Sequence, residues 1–376
     1  MKELQDILTA YESLKQSGTP AAMATVMKVQ GSTYRRPGAR MLILGNGKTV
    51  GTVSGGCLEA DIAEKSKTIL SSGHAATSVY DMTADGDAVW GLNQGCNGVV
   101  HLLVEPIPAR DGFGHLEFVR ACLQQRISGA VATVFRVDGE FKASVGTRVL
   151  MDERGAVQEN TKNPALTAAL LEDCQRAINS SRGDVREYRF TEGVVEAFIE
   201  FVQPAIPLII FGGGYDAIPL ARFAKELGWE VTIVDHRPAF ASKERFPGAD
   251  SFILARPEEV SAKVVLDKRS VVVIMTHNYT HELELLKALL PSQSGYVGLL
   301  GPKMRTERLL RNLVQAGITP TESQLHRLHT PIGIDIGAES PEEIALSILA
   351  EIRAVLSKRS GGFLKDSTGS IHESHK

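Results

Sequence analysis

The amino-acid sequence predicts an α/β protein, with an N-terminal α+β domain followed by a Rossmann-like domain built on a doubly wound parallel sheet. Helical and strand-like segments mix without regular order over roughly the first 200 residues, whereas short apolar runs alternate with helical patterns after that point. Between them, QPAIP (203–207) has two prolines within four residues, which is typical of a joint between domains. We therefore expect domains at 1–203 and 204–358 and a disordered tail at 359–376.

The N-terminal half has apolar residues at helical spacing in some segments and β-branched runs in others. Helices are expected near 2–17, at 57–70, and near 113–126 and 164–178, and strands at 21–29, 40–44, 49–53, 99–107, 129–137 and 194–202. No internal repeat is apparent in this half.

The C-terminal half alternates between short apolar runs and helical patterns. Its predicted strands and helices include PLIIF (207–211), a helix after the following glycines, WEVTIVD (229–235), VVVIM (271–275), a helix at 280–290, YVGLLG (296–301) and a helix at 303–316. Strands that alternate with helices in this way form a parallel sheet.

A glycine-rich turn joins the first of these strands to its helix. Gly212-x-Gly214-x-x-Ala217 follows the strand, and Asp235 ends the next strand. In such a turn the glycines let a phosphate approach the backbone, and the acid accepts a hydrogen bond from a ribose hydroxyl. The pattern predicts a nucleotide site. Asp235 favours an NAD-like ligand because an acid disfavours a 2′-phosphate, whereas the neighbouring His236 and Arg237 weaken that argument. The alternative is that the glycines only pack the helix on its sheet, and binding alone would not imply hydride transfer.

Charge and hydropathy disfavour two classes of partner. The 41 basic and 44 acidic residues are interspersed and leave a net charge of −3, so no strong field gathers nucleic acid or anionic lipid. The apolar residues of the N-terminal segment have a helical spacing broken by charges, which is typical of neither a signal peptide nor a membrane span. A cytoplasmic protein without nucleic-acid or membrane partners is therefore predicted.

The segment TVGTVSGGCLEADI (49–62) places Cys57 directly after Ser54-Gly55-Gly56 and at the start of a predicted helix. A helix N-terminus lowers the pKa of a thiol, and the thiolate can attack, carry sulfur or hold a metal. The two glycines offer open backbone N–H groups on which an anionic ligand could rest. Glu59, in the first turn, would oppose thiolate formation. The alternative interpretation is a structural cysteine at a helix start.

The other three cysteines lie in different surroundings. Cys96 lies in WGLNQGCNGVV (90–100), a glycine-rich segment typical of a loop. Cys122 and Cys174 lie in helical patterns that indicate small core residues. No Cys-x-x-Cys pair occurs, so neither a disulfide framework nor a zinc ribbon is expected.

Two further groups of polar residues are each open to two interpretations. His277 and His281 are four positions apart and could share a metal, or could be a loop histidine and a helix-start histidine. Arg35, Arg36 and Arg40 could clamp an anion, or could lie in a solvated loop. Residue type alone decides neither case.

Seven sequence blocks, in order from about residue 20 to residue 355, resemble the XdhC/CoxI family of accessory proteins for molybdenum hydroxylases. They are GSTYRRPGARMLI, VGTVSGGCLEADI, WGLNQGCNGVVHLLVEP, ELGWEVTIVDHRPAF, VVVIMTHN, YVGLLGPKMR and LHTPIGIDIGAESPEEIALSILAEI. The resemblance implies an N-terminal domain that carries the Ser-Gly-Gly-Cys block, a C-terminal Rossmann-like domain and a homodimer.

The resemblance also implies a function and its site. The protein would bind molybdenum cofactor (molybdopterin), assist its sulfuration by a sulfur donor such as a cysteine desulfurase, and insert it into a xanthine dehydrogenase-type apoenzyme. It would be a chaperone rather than a turnover enzyme, with Cys57 as a ligand of the metal. The implied cofactor-binding residues are Ser54, Gly55, Gly56, Cys57, Cys96, Gly212, Gly214 and Asp235. The alternative is an NAD-dependent oxidoreductase that uses the Rossmann-like domain.

Overall fold

The computed structural model describes residues 1–83, 98–107 and 114–366 of the chain. The chain divides into two compact units, Glu3–Pro204 and a second unit of Met1–Lys2 with Ala205–Lys376. Each unit has its own sheets and its own apolar clusters. None of the helices in the described ranges combines the length and apolar character that a bilayer-spanning helix needs.

The first unit consists of one series of elements that occurs twice. The first series is α1 (Lys2–Ser17), β1 (Ala21–Gly31), β2 (Arg40–Leu44), β3 (Thr49–Gly51), α2 (Glu59–Ser72), β4 (Ala76–Asp81) and β5 (Gly98–Ile107). The second series is α3 (His115–Gln125), β6 (Gly129–Gly139), β7 (Arg148–Asp152), β8 (Val157–Glu159), α4 (Pro164–Ser180), β9 (Asp184–Phe190) and β10 (Gly193–Val202). Each series forms an antiparallel five-stranded sheet, in the order β3-β2-β1-β5-β4 and β8-β7-β6-β10-β9.

The prediction that this half has no internal repeat is therefore wrong. We name residues 3–107 the first repeat and residues 115–202 the second repeat. From α1 to β4, corresponding residues lie 108 positions apart, as do Arg40 and Arg148. The identical pairs in β1 and β6 are Ala22/Ala130, Ala24/Ala132, Thr25/Thr133, Val26/Val134, Val29/Val137 and Gly31/Gly139. Elsewhere the repeats share burial more than residue type, as at Ile62 and Leu170, and this conceals the repeat in the sequence.

The two sheets share a small apolar core built from equivalent residues. Met27 and Phe135 each lie where the pairing of β1 with β5, or of β6 with β10, shifts by one residue. Both side chains are buried in one cluster with Leu103 and Phe198, which also occupy equivalent places in β5 and β10. A bulge re-aims the side chain at the irregular position. Here it directs one residue of each repeat into their common core.

Two reciprocal ion pairs also join the repeats. Arg40 at the start of β2 pairs with Glu200 in β10, and Arg148 at the start of β7 pairs with Glu105 in β5 at 2.5 Å. The four side chains are at most 15% exposed. Each repeat supplies the arginine of one pair and the glutamate of the other, which is typical of a two-fold arrangement. Because a buried charge without its partner is strongly destabilising, these pairs hold the two sheets in register.

The second unit is built on a six-stranded parallel sheet. Its main elements are β11 (Pro207–Phe211), α5 (Ala217–Glu226), β12 (Glu230–Asp235), β13 (Ser251–Leu254), α6 (Val260–Lys263), β14 (Val271–Ile274), α7 (Tyr279–Leu289), β15 (Tyr296–Leu299), α8 (Lys303–Gln315), α9 (Glu322–His326), β16 (Leu328–His329) and α10 (Pro341–Leu356). The strand order is β13-β12-β11-β14-β15-β16, and every pairing is parallel. Separate apolar clusters contain residues of alternate strand positions and of the helices.

This sheet confirms the predicted Rossmann-like fold after an α+β half. The strand order reverses between β11 and β14, and ligands of such sheets bind where the carboxyl ends of the strands meet that reversal. Of the predicted tail at 359–376, Leu364–Asp366 forms a single 3-10 turn, and residues 367–376 lie outside the described residues.

Candidate functional site

Three of the recognised sequence blocks meet at one end of the first sheet. The ring of Tyr34, in the β1–β2 loop, lies against Gly55, where an added Cβ would come within 2.9 Å of the ring. Strand β5 begins at Gly98 opposite Gly31, and a Cβ on Gly98 would lie 2.7 Å from the methyl carbon of Thr33. Cys96, predicted to bind the cofactor, lies outside the described residues.

The loop from residue 52 to residue 58 requires two glycines. Gly55 and Gly56 have φ angles of 106° and 123°, which side chains other than glycine rarely adopt. Space is open around Gly56, so its backbone conformation rather than a contact demands the glycine there. The paired glycines turn the chain sharply immediately before Cys57.

Cys57 lies beside the helix rather than in it. Helix α2 begins at Glu59, two residues later than predicted, and Leu58 is its N-cap residue. The free thiol of Cys57 is half-buried and packs against the apolar cluster that contains Val53 and Ile62. Cys57 is therefore held against the core while the residue remains partly exposed.

The predicted open N–H groups of Gly55 and Gly56 are already engaged, because the Glu59 carboxylate reaches back over the loop. It accepts from Gly56 N–H at 2.9 Å and from Gly55 N–H at 3.3 Å. Its further donors are Val53 N–H, Ser54 N–H, Leu58 N–H and the hydroxyls of Thr52 and Ser54. An acid in the first turn of a helix is close enough to bond the free backbone donors ahead of it. The bare anion cradle predicted from the glycines is therefore filled by the chain's own carboxylate.

These donors keep Glu59 ionised. Burial opposes the charged form, but hydrogen bonds from Ser54, Thr52 and the backbone outweigh it and hold the pKa of Glu59 at about 2. The residue-type signal was present, since an acid in the first turn of a helix lies near the free backbone N–H groups of that end. Sequence reasoning considered Glu59 for its effect on the helix dipole and on the thiolate, and not as an acceptor for the loop.

The other two described cysteines are core residues, as predicted. Cys122 is 1% exposed and Cys174 is fully buried, and burial raises the pKa of each thiol to about 12. Cys174 occupies the position of Ser66 in the first repeat, and both side chains are buried. Neither thiol is available to a ligand at neutral pH.

The three arginines near this loop do not form a common anion clamp. Arg35 pairs with Glu3 at 2.5 Å, and Arg40 belongs to the buried pair with Glu200. Arg36 is half-buried, and its Nε lacks a hydrogen-bond partner among the described residues. Of the three, Arg36 alone retains an unused buried donor in a side chain not committed to an ion pair, and an anion could satisfy that donor.

The glycine-rich turn of the second unit is constrained mainly by packing. Gly212 has φ 103°, and a Cβ there would lie 2.6 Å from the carbonyl oxygen of Met275. A Cβ on Gly213 would lie 2.1 Å from the carbonyl oxygen of Phe240, whereas Gly214 faces open space. The structural interpretation of this turn therefore accounts for Gly212 and Gly213, and Gly214 leaves room for a ligand.

Asp235 is engaged by its own chain. The Asp235 side chain is 2% exposed, and its carboxylate accepts from Gly213 N–H at 2.9 Å and from the backbone N–H, Nε and Nη2 of Arg237 at 2.8–2.9 Å. Burial raises the pKa of Asp235, but the bonds from Arg237 and Gly213 outweigh it and lower that pKa. Arg237 in turn stacks on Phe240 at 3.5 Å. A ribose hydroxyl would have to displace one of these donors.

A cavity of about 90 Å³ adjoins Asp235. Its walls include Val234 and Leu285, and its polar lining includes His236 and His281, whose rings meet edge to face at 5.0 Å. Across the strand reversal, His277 Nε2 lies 2.9 Å from Asp216 Oδ2. No group of three or more metal-ligating side chains occurs in the part of the chain that the structure describes. His277 lies in the loop before α7, with φ 53°, and His281 lies in the first turn of that helix.

Comparison with known proteins matches both units. The profile described as "XdhC and CoxI family" matches residues 14–81, and that described as "XdhC Rossmann domain" matches 208–352. A Bacillus subtilis protein, named as a probable xanthine dehydrogenase subunit, is 33% identical over 92% of this chain and 96% of its own length. The Escherichia coli molybdenum cofactor insertion chaperone PaoD is 24% identical over 92% of this chain and 86% of its length.

A solved structure has the same fold over nearly the whole chain. It is a Bacillus halodurans protein described as a xanthine dehydrogenase, with a TM-score of 0.74 and 30% identity, and the match covers 96% of this chain and 97% of that one. The two matched profiles cover six of the seven recognised blocks, and WGLNQGCNGVVHLLVEP (90–106) lies between them. The chain belongs to the XdhC and CoxI family.

Proposed function

We propose that this protein binds molybdenum cofactor as cargo, assists its sulfuration and inserts it into a xanthine dehydrogenase-type apoenzyme. The observation that carries the proposal is the position of Cys57 in the one repeat that the family profile matches. The loop around Cys57 is also where the two repeats differ in their conformation. The name of the related insertion chaperone PaoD supports the same cargo.

The chemistry of the site fits this cargo. Molybdopterin carries a terminal phosphate and a dithiolene, and its metal prefers soft sulfur ligands. Cys57 supplies a partly accessible sulfur, held in place by the apolar cluster beneath it. Arg36 supplies a cationic side chain with an unsatisfied buried N–H, on the loop whose Tyr34 touches Gly55. In this proposal Cys57 contacts the metal or its sulfur, Arg36 contacts the phosphate, and Cys96 provides a second thiol.

The predicted residues of the loop then take different roles. Ser54, Gly55 and Gly56 shape the backbone and do not bind the cargo through their N–H groups, since Glu59 accepts from them. The proposed partners are the apoenzyme, a sulfur donor such as a cysteine desulfurase, and a second copy of this chain.

We also propose that Gly214 and the cavity beside Asp235 bind part of a nucleotide. The space at Gly214 and the location of the cavity at the carboxyl ends of the strands support this. The NAD-dependent oxidoreductase gains no support, since Asp235 already accepts four hydrogen bonds from Gly213 and Arg237.

The experiment is to purify the protein from a host that makes the cofactor and to assay molybdenum and pterin together. The proposal expects both, in amounts equal to each other and in proportion to protein. Protein that carries neither, and that takes up neither when mixed with cofactor released from a molybdenum enzyme, would contradict it. Bound NAD without pterin would favour the oxidoreductase.

A further inference from the structure

We propose that Glu59 is a positioning residue for Cys57: its carboxylate permanently fills the N–H groups of the loop and fixes the place from which the thiol meets its ligand. Only the meeting of thiol and cofactor rests on the proposed function. The positioning itself concerns residues of this chain alone. It adds a role to those that the sequence indicates, in which Glu59 favours the helix dipole and opposes the thiolate.

The first support is the number and distribution of the donors. Oε1 accepts from Val53 N–H at 3.1 Å, from Ser54 N–H at 3.0 Å and from the Thr52 hydroxyl. Oε2 accepts from Gly56 N–H at 2.9 Å and from the Ser54 hydroxyl. Both carboxylate oxygens are therefore used, and the loop is tied to the helix by a single side chain. Charge-assisted bonds of this kind are about twice as strong as neutral ones.

The second support is that these bonds bracket the cysteine. Gly56 N–H, on one side of Cys57, donates to Glu59, and Leu58 N–H, on the other side, donates to the Ser54 hydroxyl oxygen at 3.0 Å. That hydroxyl in turn donates to Glu59. The backbone before and after the thiol is thus held by one connected network, although Cys57 itself contributes no side-chain bond to it among the described residues.

The third support comes from the second repeat, where the same helix start is built without a carboxylate. Glu59 corresponds to Thr167, and Gly55 corresponds to Asn163. The Asn163 side chain accepts directly from Ala165 N–H at 3.0 Å and Leu166 N–H at 3.1 Å, and Thr167 donates to the Asn163 carbonyl oxygen. The helix in this place therefore needs no Glu59 network. The network occurs where a cysteine stands, and the second repeat has Ala165 at that position.

The Glu59 network also limits how an anionic ligand can approach this loop. While Glu59 holds the loop, a phosphate has no access to the N–H groups of Gly55 and Gly56, because two anions do not share one set of donors. The anionic group of the ligand must therefore be bound by other residues. The loop itself offers the ligand the sulfur of Cys57.

The test measures how fast iodoacetamide alkylates the Cys57 thiolate in protein without cofactor, taken as the limiting rate of a pH profile, so that a change in the pKa of the thiol on loss of the Glu59 charge is not counted. A Cys96→Ser background leaves Cys57 as the accessible thiol, because Cys122 and Cys174 are buried. Glu59→Gln keeps the shape but places an NH₂ group against N–H and O–H donors. We expect alkylation to become about tenfold faster, because the loop that half-buries the sulfur is released to open locally.

Two control variants should leave the rate unchanged. Thr167→Ala alters the equivalent residue of the second repeat, and Glu64→Gln removes an exposed acid, paired with Lys67, from the same helix as Glu59. A folded Glu59→Gln protein whose alkylation rate stays within twofold of wild type would overturn the proposal. If Glu59→Gln fails to fold, Thr52→Val and Ser54→Ala each remove one hydroxyl donor, and an unchanged rate in both would overturn it equally.

The outcome is independent of the cargo. Faster alkylation in Glu59→Gln, together with normal cofactor retention in Cys57→Ser, would uphold the positioning role and reject the proposed function. Unchanged alkylation, together with lost retention in Cys57→Ser, would do the reverse.

Discussion

The two repeats of the first unit have one fold but different loops at the start of their second helix, which is α2 in the first repeat and α4 in the second. In the second repeat Asn163 caps α4 through its own side chain, and Pro164 is the first helical residue. In the first repeat two glycines with positive φ and the Glu59 carboxylate build a tighter loop that ends at Cys57. The core beneath is the same, with Leu58 and Leu166 both buried.

The connection between the last two strands differs as well. In the second repeat β9 and β10 are separated by two residues, whereas residues 82–97 separate β4 from β5 and include Cys96. A duplicated fold thus provides its own reference. Where the repeats agree, the residues serve packing. Where the first repeat differs from the second and has backbone angles that most residues rarely adopt, its residues are candidates for function.

The largest effect, on the free energy of unfolding, is expected for the buried ion pairs that join the two repeats. Arg148→Met leaves Glu105 buried without its partner, and Arg40→Met does the same to Glu200. Each should lower the free energy of unfolding by about 3–5 kcal/mol, measured by urea denaturation. If the repeats are equivalent in their packing, the two losses should be similar. A loss below about 1 kcal/mol, as is typical of surface pairs, in either variant would break the comparison.

The next largest effect, on cofactor retention, is expected at the loop around Cys57, where the two repeats differ. Cys57→Ser should reduce retained molybdenum and pterin at least tenfold, equivalent to about 1.4 kcal/mol of binding free energy. Cys174→Ser is the matched control, because it places serine where the first repeat already has Ser66. The control should retain cofactor like wild type, with only a small loss of stability. Equal retention in both variants would mean that the loop around Cys57 has no part in binding.

A smaller effect is expected from two glycine substitutions, which separate a loss of stability from a loss of cofactor retention. Gly56→Ala and Gly73→Ala both place a side chain at positive φ in open space, with φ 123° and 71°. Each should cost about 1–3 kcal/mol of unfolding free energy for that reason. Only Gly56→Ala should also reduce cofactor retention, because Gly73 lies at the far end of α2. Reduced retention in both would indicate a general loss of folding.

The smallest effect is a dependence on pH. The pKa of Glu59 is about 2 in the folded protein, below the value of about 4.3 for an unfolded glutamate, so its ionised form stabilises the fold. That contribution is complete above the unfolded pKa and is lost as pH falls through about 4.3 towards about 2. In urea denaturation at about pH 7 and about pH 3, Glu59→Gln should therefore lose less stability on acidification than wild type. Equal losses would show that the carboxylate is not bound as described.

The Rossmann-like half was predictable from sequence because its signals are local. Strands buried in a parallel sheet are continuous apolar runs, so the runs ending at Phe211 and Asp235 indicated their own positions. In contrast, β9 (DVREYRF) lies among the unpredicted strands, since four of its seven residues are charged and none is buried, which resembles a loop. The burial of Cys122 and Cys174 was likewise predictable from helical spacing.

The repeat and the internal partners of the acids were not predictable. Arg40 and Glu200 are 160 positions apart, and nothing in local spacing connects them. Glu59 and Asp235 were placed correctly at a helix start and a strand end, but residue type does not say whether a carboxylate will bind a ligand or its own backbone. That choice depends on the backbone geometry around each acid, which only the folded loops supply.

The central claim is that Cys57 contacts the molybdenum or its sulfur. X-ray absorption at the molybdenum edge tests this most directly, on cofactor-loaded wild type and on Cys57→Ser loaded to the highest level it reaches. We predict one sulfur neighbour of the metal fewer in Cys57→Ser than in wild type or, where Cys57 contacts a sulfur ligand of the metal, a changed distance from the metal to that sulfur, with Cys174→Ser unchanged. Identical spectra for wild type and Cys57→Ser at equal loading would contradict the claim.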